Sequence, residues 1–259
     1  MKSKMFWIKS VVFLSLLFLF SCASRKNIVY YQDIDKITDK GGESYEVKIQ
    51  PDDLLMIIVS ADDVEAALPF NLKTYSTSGN RLDITRGQET VQQYLVDFEG
   101  NIEFPVLGKI KVGGLSRTEV LHLLQNKISG YIKNPIINLR ITNFKISLQG
   151  EVNMPGTYSV ASERITLIEA LSMGKDLTVY GKRNNILIIR ETNGKKSYNR
   201  VNITKSDFIN SPFYYLAQND VVYVEPNKTK VNSSAVGPNT SVIISAVSIL
   251  VSLSVLIFK

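Results

Sequence analysis

VDFEGNIEFPVLGKIKVGGLSRTEVLHLLQNKISGYIKNPIINLRI, residues 96–141, holds strand, turn, helix and strand signals in one run. NIEFP, KIKV and IINLRI are short, rich in Val and Ile, and bounded by Gly, Pro and Asn, as strands are. The glycine of DFEGNI lies between two such stretches and predicts a hairpin. GLSRTEVLHLLQNKISGYIKNP then changes the period. Ser116 and Glu119 are spaced as a capping box, Leu115 and Val120 as a hydrophobic staple, and Pro135 ends the helical signal. Val120, Leu121, Leu124 and Ile128 fall on one apolar face. A helix with strands on both sides buries such a face on a sheet, so the stretch predicts α+β architecture.

The same alternation continues outward. YEVKI, LLMIIVS and QYLVDF precede it; KISLQG, GTYSV, NILIIR, YNRVNI and DVVYVEP come after. A second helix is predicted in ITLIEALSMGKDL, with Thr166 and Glu169 as its capping box and Gly174 as its stop. Two helices, each flanked by strands, predict two units. Residues 62–93 read as a long insertion between strands, and residues 227–239 as a Pro/Asn/Ser linker.

Both ends are apolar. Lys2, Lys4 and Lys9 precede a run from Val11 to Phe20, the layout of a secretory signal over residues 1–21. Cys22, the single cysteine, comes directly after it and resembles the acylated cysteine of a bacterial lipobox, with residues 22–44 as a polar tether. Ala23 in place of aspartate favours the outer membrane by that resemblance. Removing the signal lowers the net charge from +6 to +3, and no long Lys/Arg run exists, so nucleic acid is not implied. At the other end, Thr240 to Phe258 would rise roughly 28 Å as a helix, which predicts a membrane span over 240–258. Ser241, Ser245, Ser248 and Ser252 fall on one narrow stripe of it. Such a stripe suits helix packing between copies, or a wet pore that several copies enclose.

Catalytic equipment is sparse. His122 is the single histidine and its helical neighbours are polar, so a solvated side chain is expected. One Cys and one His exclude a zinc cluster, a Cys/His dyad and a serine triad. No phosphate cradle opens a helix, and no cofactor is expected. Asp52–Asp53 and Asp62–Asp63 are adjacent pairs, which strands point to opposite faces. Tyr30–Tyr31 and Tyr214–Tyr215 could stack on sugar rings, though half-buried packing is the plainer role.

YEVKIQPDDLLMIIVS together with the 96–141 run resembles the Wza-type polysaccharide export family. The resemblance is carried by Asp53 and Leu54, then Gly100, Ile102, Pro105, Gly108, Ile110, Val112, Gly114 and Leu115, and by Asn134–Pro135. Asp52 stands where that family usually has glycine. ISLQGEVNMPGTYSV, through Gly150, Val152, Pro155, Gly156 and Tyr158, resembles the soluble-ligand-binding β-grasp (SLBB) module, in one copy; Lys175 replaces its second glycine after the helix. The resemblance implies a strand-rich periplasmic export domain over 45–143, an SLBB-like domain over 144–226, and a single C-terminal transmembrane helix. It further implies a non-enzymatic outer-membrane lipoprotein that forms a homo-oligomeric ring, passes capsular or extracellular polysaccharide, contacts membrane lipid and works with an inner-membrane polysaccharide co-polymerase or tyrosine kinase. The alternatives are a ligand-binding or scaffold lipoprotein without a pore, and a glycan-acting enzyme using Asp53.

Overall fold

The computed structural model describes residues 25–37, 46–76, 88–192, 194–235 and 240–257. The signal over 1–21 and Cys22 lie outside the described residues. Two hydrophobic cores separate two units, so the chain is mixed α+β.

The first unit begins with β1 (Leu54–Ser60), whose burial alternates strictly: Leu55, Ile57 and Val59 face inward. The expected insertion folds into a helical turn α1 (Val64–Ala67), a 3₁₀ turn (Leu68–Phe70), and the paired strands β2 (Lys73–Ser76) and β3 (Gln88–Val91). Asn71 ties this excursion back to β1. Its amide accepts from Val59 N at 2.9 Å and donates to Val59 O at 2.7 Å. Next come β4 (Gln93–Leu95), β5 (Asn101–Phe104), β6 (Gly108–Lys111), helix α2 (Arg117–Ile128) and β7 (Ile136–Ile141). The antiparallel sheet runs β4-β1-β7, while among the described residues β5 and β6 pair with each other alone.

The glycine turn therefore forms without the hairpin expected across it. Gly100 N reaches Asp97 O and Asp97 N reaches Asn101 O, but β4 leaves to join β1. The reason is at the far end of β6: a Cβ on Gly113 would lie 2.7 Å from the Gly100 Cα, and Val112 and Gly113 both donate to the Gly100 carbonyl. Close backbone approach closes β5–β6 into its own ribbon. On α2 the capping box of Ser116 and Glu119 is present in both directions, and Val120, Leu124 and Ile128 are fully buried against β1 and β7.

The second unit contains β8 (Lys145–Gly150), β9 (Gly156–Ser159), β10 (Ile165–Thr166), α3 (Leu167–Met173), β11 (Gly181–Thr192), β12 (Lys195–Val201), β13 (Tyr215–Leu216) and β14 (Val221–Pro226). Five strands form one mixed sheet in the order β12-β11-β14-β8-β9, with β14 parallel to β8. Ile146, Leu148, Ile186, Ile188, Val222 and Val224 give it an apolar face, covered by Leu167, Ala170 and Leu171 of α3. The capping box of Thr166 and Glu169 opens that helix, and Gly174 caps its end. Asp52 (φ 69°) and Lys175 (φ 57°), the two positions where the resemblance expects glycine, keep the left-handed backbone that glycine adopts most cheaply.

The stretch expected as a tether is partly docked. Residues 25–37 lie on the second unit: Tyr31 N donates to Ile203 O, Gln32 N to Thr204 O, and Ser206 N to Asp33 Oδ1 at 2.7 Å.

After β14 come α4 (Lys228–Ala235) and α5 (Thr240–Ile257). The expected single transmembrane helix over 240–258 is overturned, since among the described residues no helix is long and apolar enough to cross a membrane. α5 rises about 27 Å against a hydrocarbon core of about 30 Å, and five of its residues are serine.

Candidate functional site

The connection between the units is three residues long, 142–144, and both units hydrogen-bond to it. Asn143 is its pivot. Its side chain accepts from Leu54 N at 2.9 Å and donates to Asp52 O at 2.8 Å, binding the turn before β1. Its own carbonyl accepts from Gln218 Nε2 at 2.9 Å, and Gln218 Oε1 accepts from Lys145 N at 2.7 Å. One asparagine thus links the start of the first unit to the turn before β14 in the second.

Asp53 is fully buried beside this knot. Its Oδ2 accepts from Gln50 N at 2.8 Å, while Oδ1 has no partner. Burial pushes its carboxyl up to about 6, and the Asp52 charge adds to the rise. Gln50 and Gln218 pull the other way, yet the hydrogen bond that Gln218 Nε2 makes goes to Asn143.

Protonation relieves this buried charge. An acid whose folded value lies above its ordinary 3.8 holds its proton more tightly in the folded state than in the unfolded one. Its penalty is absent below about pH 4, grows through pH 6, and at full size is on the order of 3 kcal/mol. Asp53→Asn is expected to gain stability relative to the wild type as pH rises from 4.5 to 7, read from urea midpoints at each pH. A constant difference between the two proteins across that range would contradict a buried titrating Asp53.

Beside the knot, the units enclose a cleft of about 580 Å³. Arg117 and Thr118 at the start of α2, Arg140 at the end of β7, and Glu46 face it from the first unit; Ser162, Glu163 and Arg164 face it from the second. Arg117 Nε donates to Leu139 O at 2.9 Å and pairs with Glu163 Oε1 at 3.3 Å, bridging the two units. Thr118 Oγ1 donates to Glu46 Oε1 at 2.9 Å. The Arg164 guanidinium lies 5.1 Å over the Tyr215 ring.

The two tyrosine pairs singled out in the sequence meet in space. Tyr31 stacks near Phe208 at 5.5 Å, Phe208 near Tyr214 at 5.9 Å, and Tyr214 against Tyr215 at 5.0 Å. Tyr30 adjoins Tyr31, donates to Asp176 Oδ1 at 2.7 Å and lies under Arg183. Burial raises the hydroxyl pKa values of Tyr30, Tyr31 and Tyr214. This aromatic row runs from the docked N-terminal segment to the cleft wall, and its rings are spent largely on packing.

The motif residues shape turns and do not line the cleft. Pro105 accepts from Leu107 N across Val106, whose φ is 65°, and Gly108 opens β6. Gly114 N donates to Ile49 O just before α2, and Pro135 comes after Asn134, which has φ 52°. Gly150 ends β8 against β14; Pro155 and Gly156 lead into β9. On α5, Ser248 Oγ donates to Ile244 O at 2.8 Å and Ser252 Oγ to Ser248 O at 2.9 Å, so these hydroxyls are satisfied by their own helix. Ser245 also has a partner, and the Ser241 side chain lies outside the described residues. His122 is exposed. The cleft arginines carried no signal in the sequence, because three different elements supply them.

Residues 42–142 match the family described as polysaccharide biosynthesis/export protein. This segment belongs to the polysaccharide export family. The export segment thus ends one residue before Asn143, and the second unit lies beyond it. Similarity to whole proteins extends further. The EPS I polysaccharide export outer membrane protein EpsA of Ralstonia solanacearum is 30% identical over 217 residues, 80% of this chain and 55% of that relative. Its counterpart in Ralstonia nicotianae is 30% identical over 202 residues, 74% of this chain and 51% of that protein. The chain spans about half the length of these relatives.

Proposed function

We propose that this protein is a non-enzymatic component of the apparatus that passes a capsular or extracellular polysaccharide through the outer membrane. In this reading acylated Cys22 anchors it in membrane lipid, the second unit serves as an SLBB-like β-grasp module, and copies assemble as a ring. An inner-membrane polysaccharide co-polymerase or tyrosine kinase hands it the polymer. The observation that carries the reading is that an export-family segment continues, within one stretch of similarity, into the second unit in relatives named polysaccharide export outer membrane proteins.

The burial of Asp53 supports the non-enzymatic part. A glycan-acting enzyme needs its acid at the surface of a substrate cleft, and this carboxyl is fully buried. The test is complementation in cells that lack the protein. The wild-type chain and Asp53→Asn are both expected to restore surface polymer. An enzyme working through that acid would leave the Asp53→Asn strain bare, with circular dichroism confirming that the variant is folded.

A further inference from the structure

We propose that the cleft between the two units binds carboxylate-bearing sugar residues, with Arg140 and Arg164 as the anion contacts. The inference rests on the export reading and names the kind of polymer it favours. Its volume of about 580 Å³ lies within the range of small-molecule sites, roughly 300–1,000 Å³.

The charges of the cleft are not all used. Three guanidiniums and two carboxylates face it. Glu163 is taken by Arg117, and Glu46 accepts the Thr118 hydroxyl. Among the described residues the Arg140 side chain has no ion-pair, hydrogen-bond or ring partner, and no carboxylate lies within ion-pair distance of Arg164, which feels the Glu169 charge only from farther off. Tyr215 holds Arg164 by its ring face, which leaves the guanidinium's donors available. Ser162 Oγ donates to Arg164 O at 2.8 Å and fixes the loop that presents it. Guanidinium forks, one from each unit, suit planar carboxylates.

A sugar acid fits this cleft better than an acidic peptide does. β7 is the outer strand of its sheet and could otherwise pair with an incoming strand, but Arg117 Nε already occupies the Leu139 carbonyl. The hydroxyl oxygens of Thr118 and Ser162, whose hydrogens go to Glu46 and to Arg164 O, can still accept from a hydroxyl-rich ligand.

The test uses the purified full chain in detergent and calorimetric titration with a glucuronate-containing hexasaccharide. Arg140→Gln and Arg164→Gln are each expected to weaken binding about tenfold or more, and the double variant to abolish it. The carboxyl-reduced hexasaccharide is expected to bind at least about tenfold more weakly than the acid form. Equal affinity for the reduced sugar, an unaffected double variant, or tighter binding of a polyglutamate peptide would each overturn the assignment. The export reading is judged separately: surface polymer lost on deletion, with no hexasaccharide bound, removes the cleft site and leaves export standing. Normal surface polymer after deletion removes export, whatever the cleft binds.

Discussion

Asp220→Ala is expected to lower folding stability by roughly 3–5 kcal/mol, the size of effect seen when one partner of a buried ion pair is removed. Asp220 is fully buried in the turn before β14. Its Oδ2 accepts from Arg190 Nη2 at 2.7 Å and from Ala217 N at 2.8 Å, and Arg190 Nε reaches both carboxylate oxygens at 3.0 and 3.1 Å. Burial pushes this carboxyl above its ordinary value, and Arg190 pulls it back. Arg190 also donates to Tyr215 O at 2.9 Å and covers the Phe213 ring, while the Asp220 carbonyl accepts from Ser147 N. The pair therefore joins β8, β11 and β13. Alanine takes a buried carboxylate, bound through three guanidinium contacts, away from a nearly buried Arg190. Replacing both residues by apolar ones of similar volume, Arg190→Met with Asp220→Leu, is expected to cost far less than either single change. Urea titration monitored by circular dichroism reads the difference; a single-variant loss below about 1 kcal/mol would place this pair with surface ion pairs.

Gly150→Ala is the second large effect. Gly150 has φ 84°, and a Cβ there would lie 2.1 Å from the Val224 carbonyl oxygen. That oxygen accepts the Glu151 N–H at 2.9 Å and belongs to β14, the parallel partner of β8. Left-handed alanine adds about 1–3 kcal/mol of strain and the overlap a further 1–3 kcal/mol, so the loss is expected at about 3 kcal/mol or more. Gly108→Ala is the control. Its φ is 69°, but nothing lies within 4 Å of the added atom, so only the backbone strain applies. Equal losses at the two positions would show that β8 and β14 can separate without cost.

Local signals in the sequence translated well. Ser116–Glu119 and Thr166–Glu169 each open a helix, because a capping box needs only residues three apart. The export motif likewise consists of turn residues whose spacing is local. Long-range features were silent. Asn143, Asp52 and Gln218 form the knot between the units from positions up to 166 residues apart, and nothing in a polar asparagine forecasts that role. The docked segment 25–37 reads as a plain polar tether, since the groups that hold it, Phe208 against Tyr31 and the Ser206 N–H on Asp33, lie more than 170 residues away along the chain. The membrane span at the end of the chain was expected from length and apolar content together, but five of the 18 residues of α5 are serine, and among the described residues no helix is long and apolar enough to cross a membrane.

The central claim is that the protein moves a finished polymer and makes or trims none. The most direct measurement traces isotopically labelled polysaccharide in cells lacking the chain, separating medium, surface and envelope fractions. Full-length polymer held inside the envelope, with little at the surface, is the expected result. Polymer of altered length, or an unchanged share at the surface, would contradict the account.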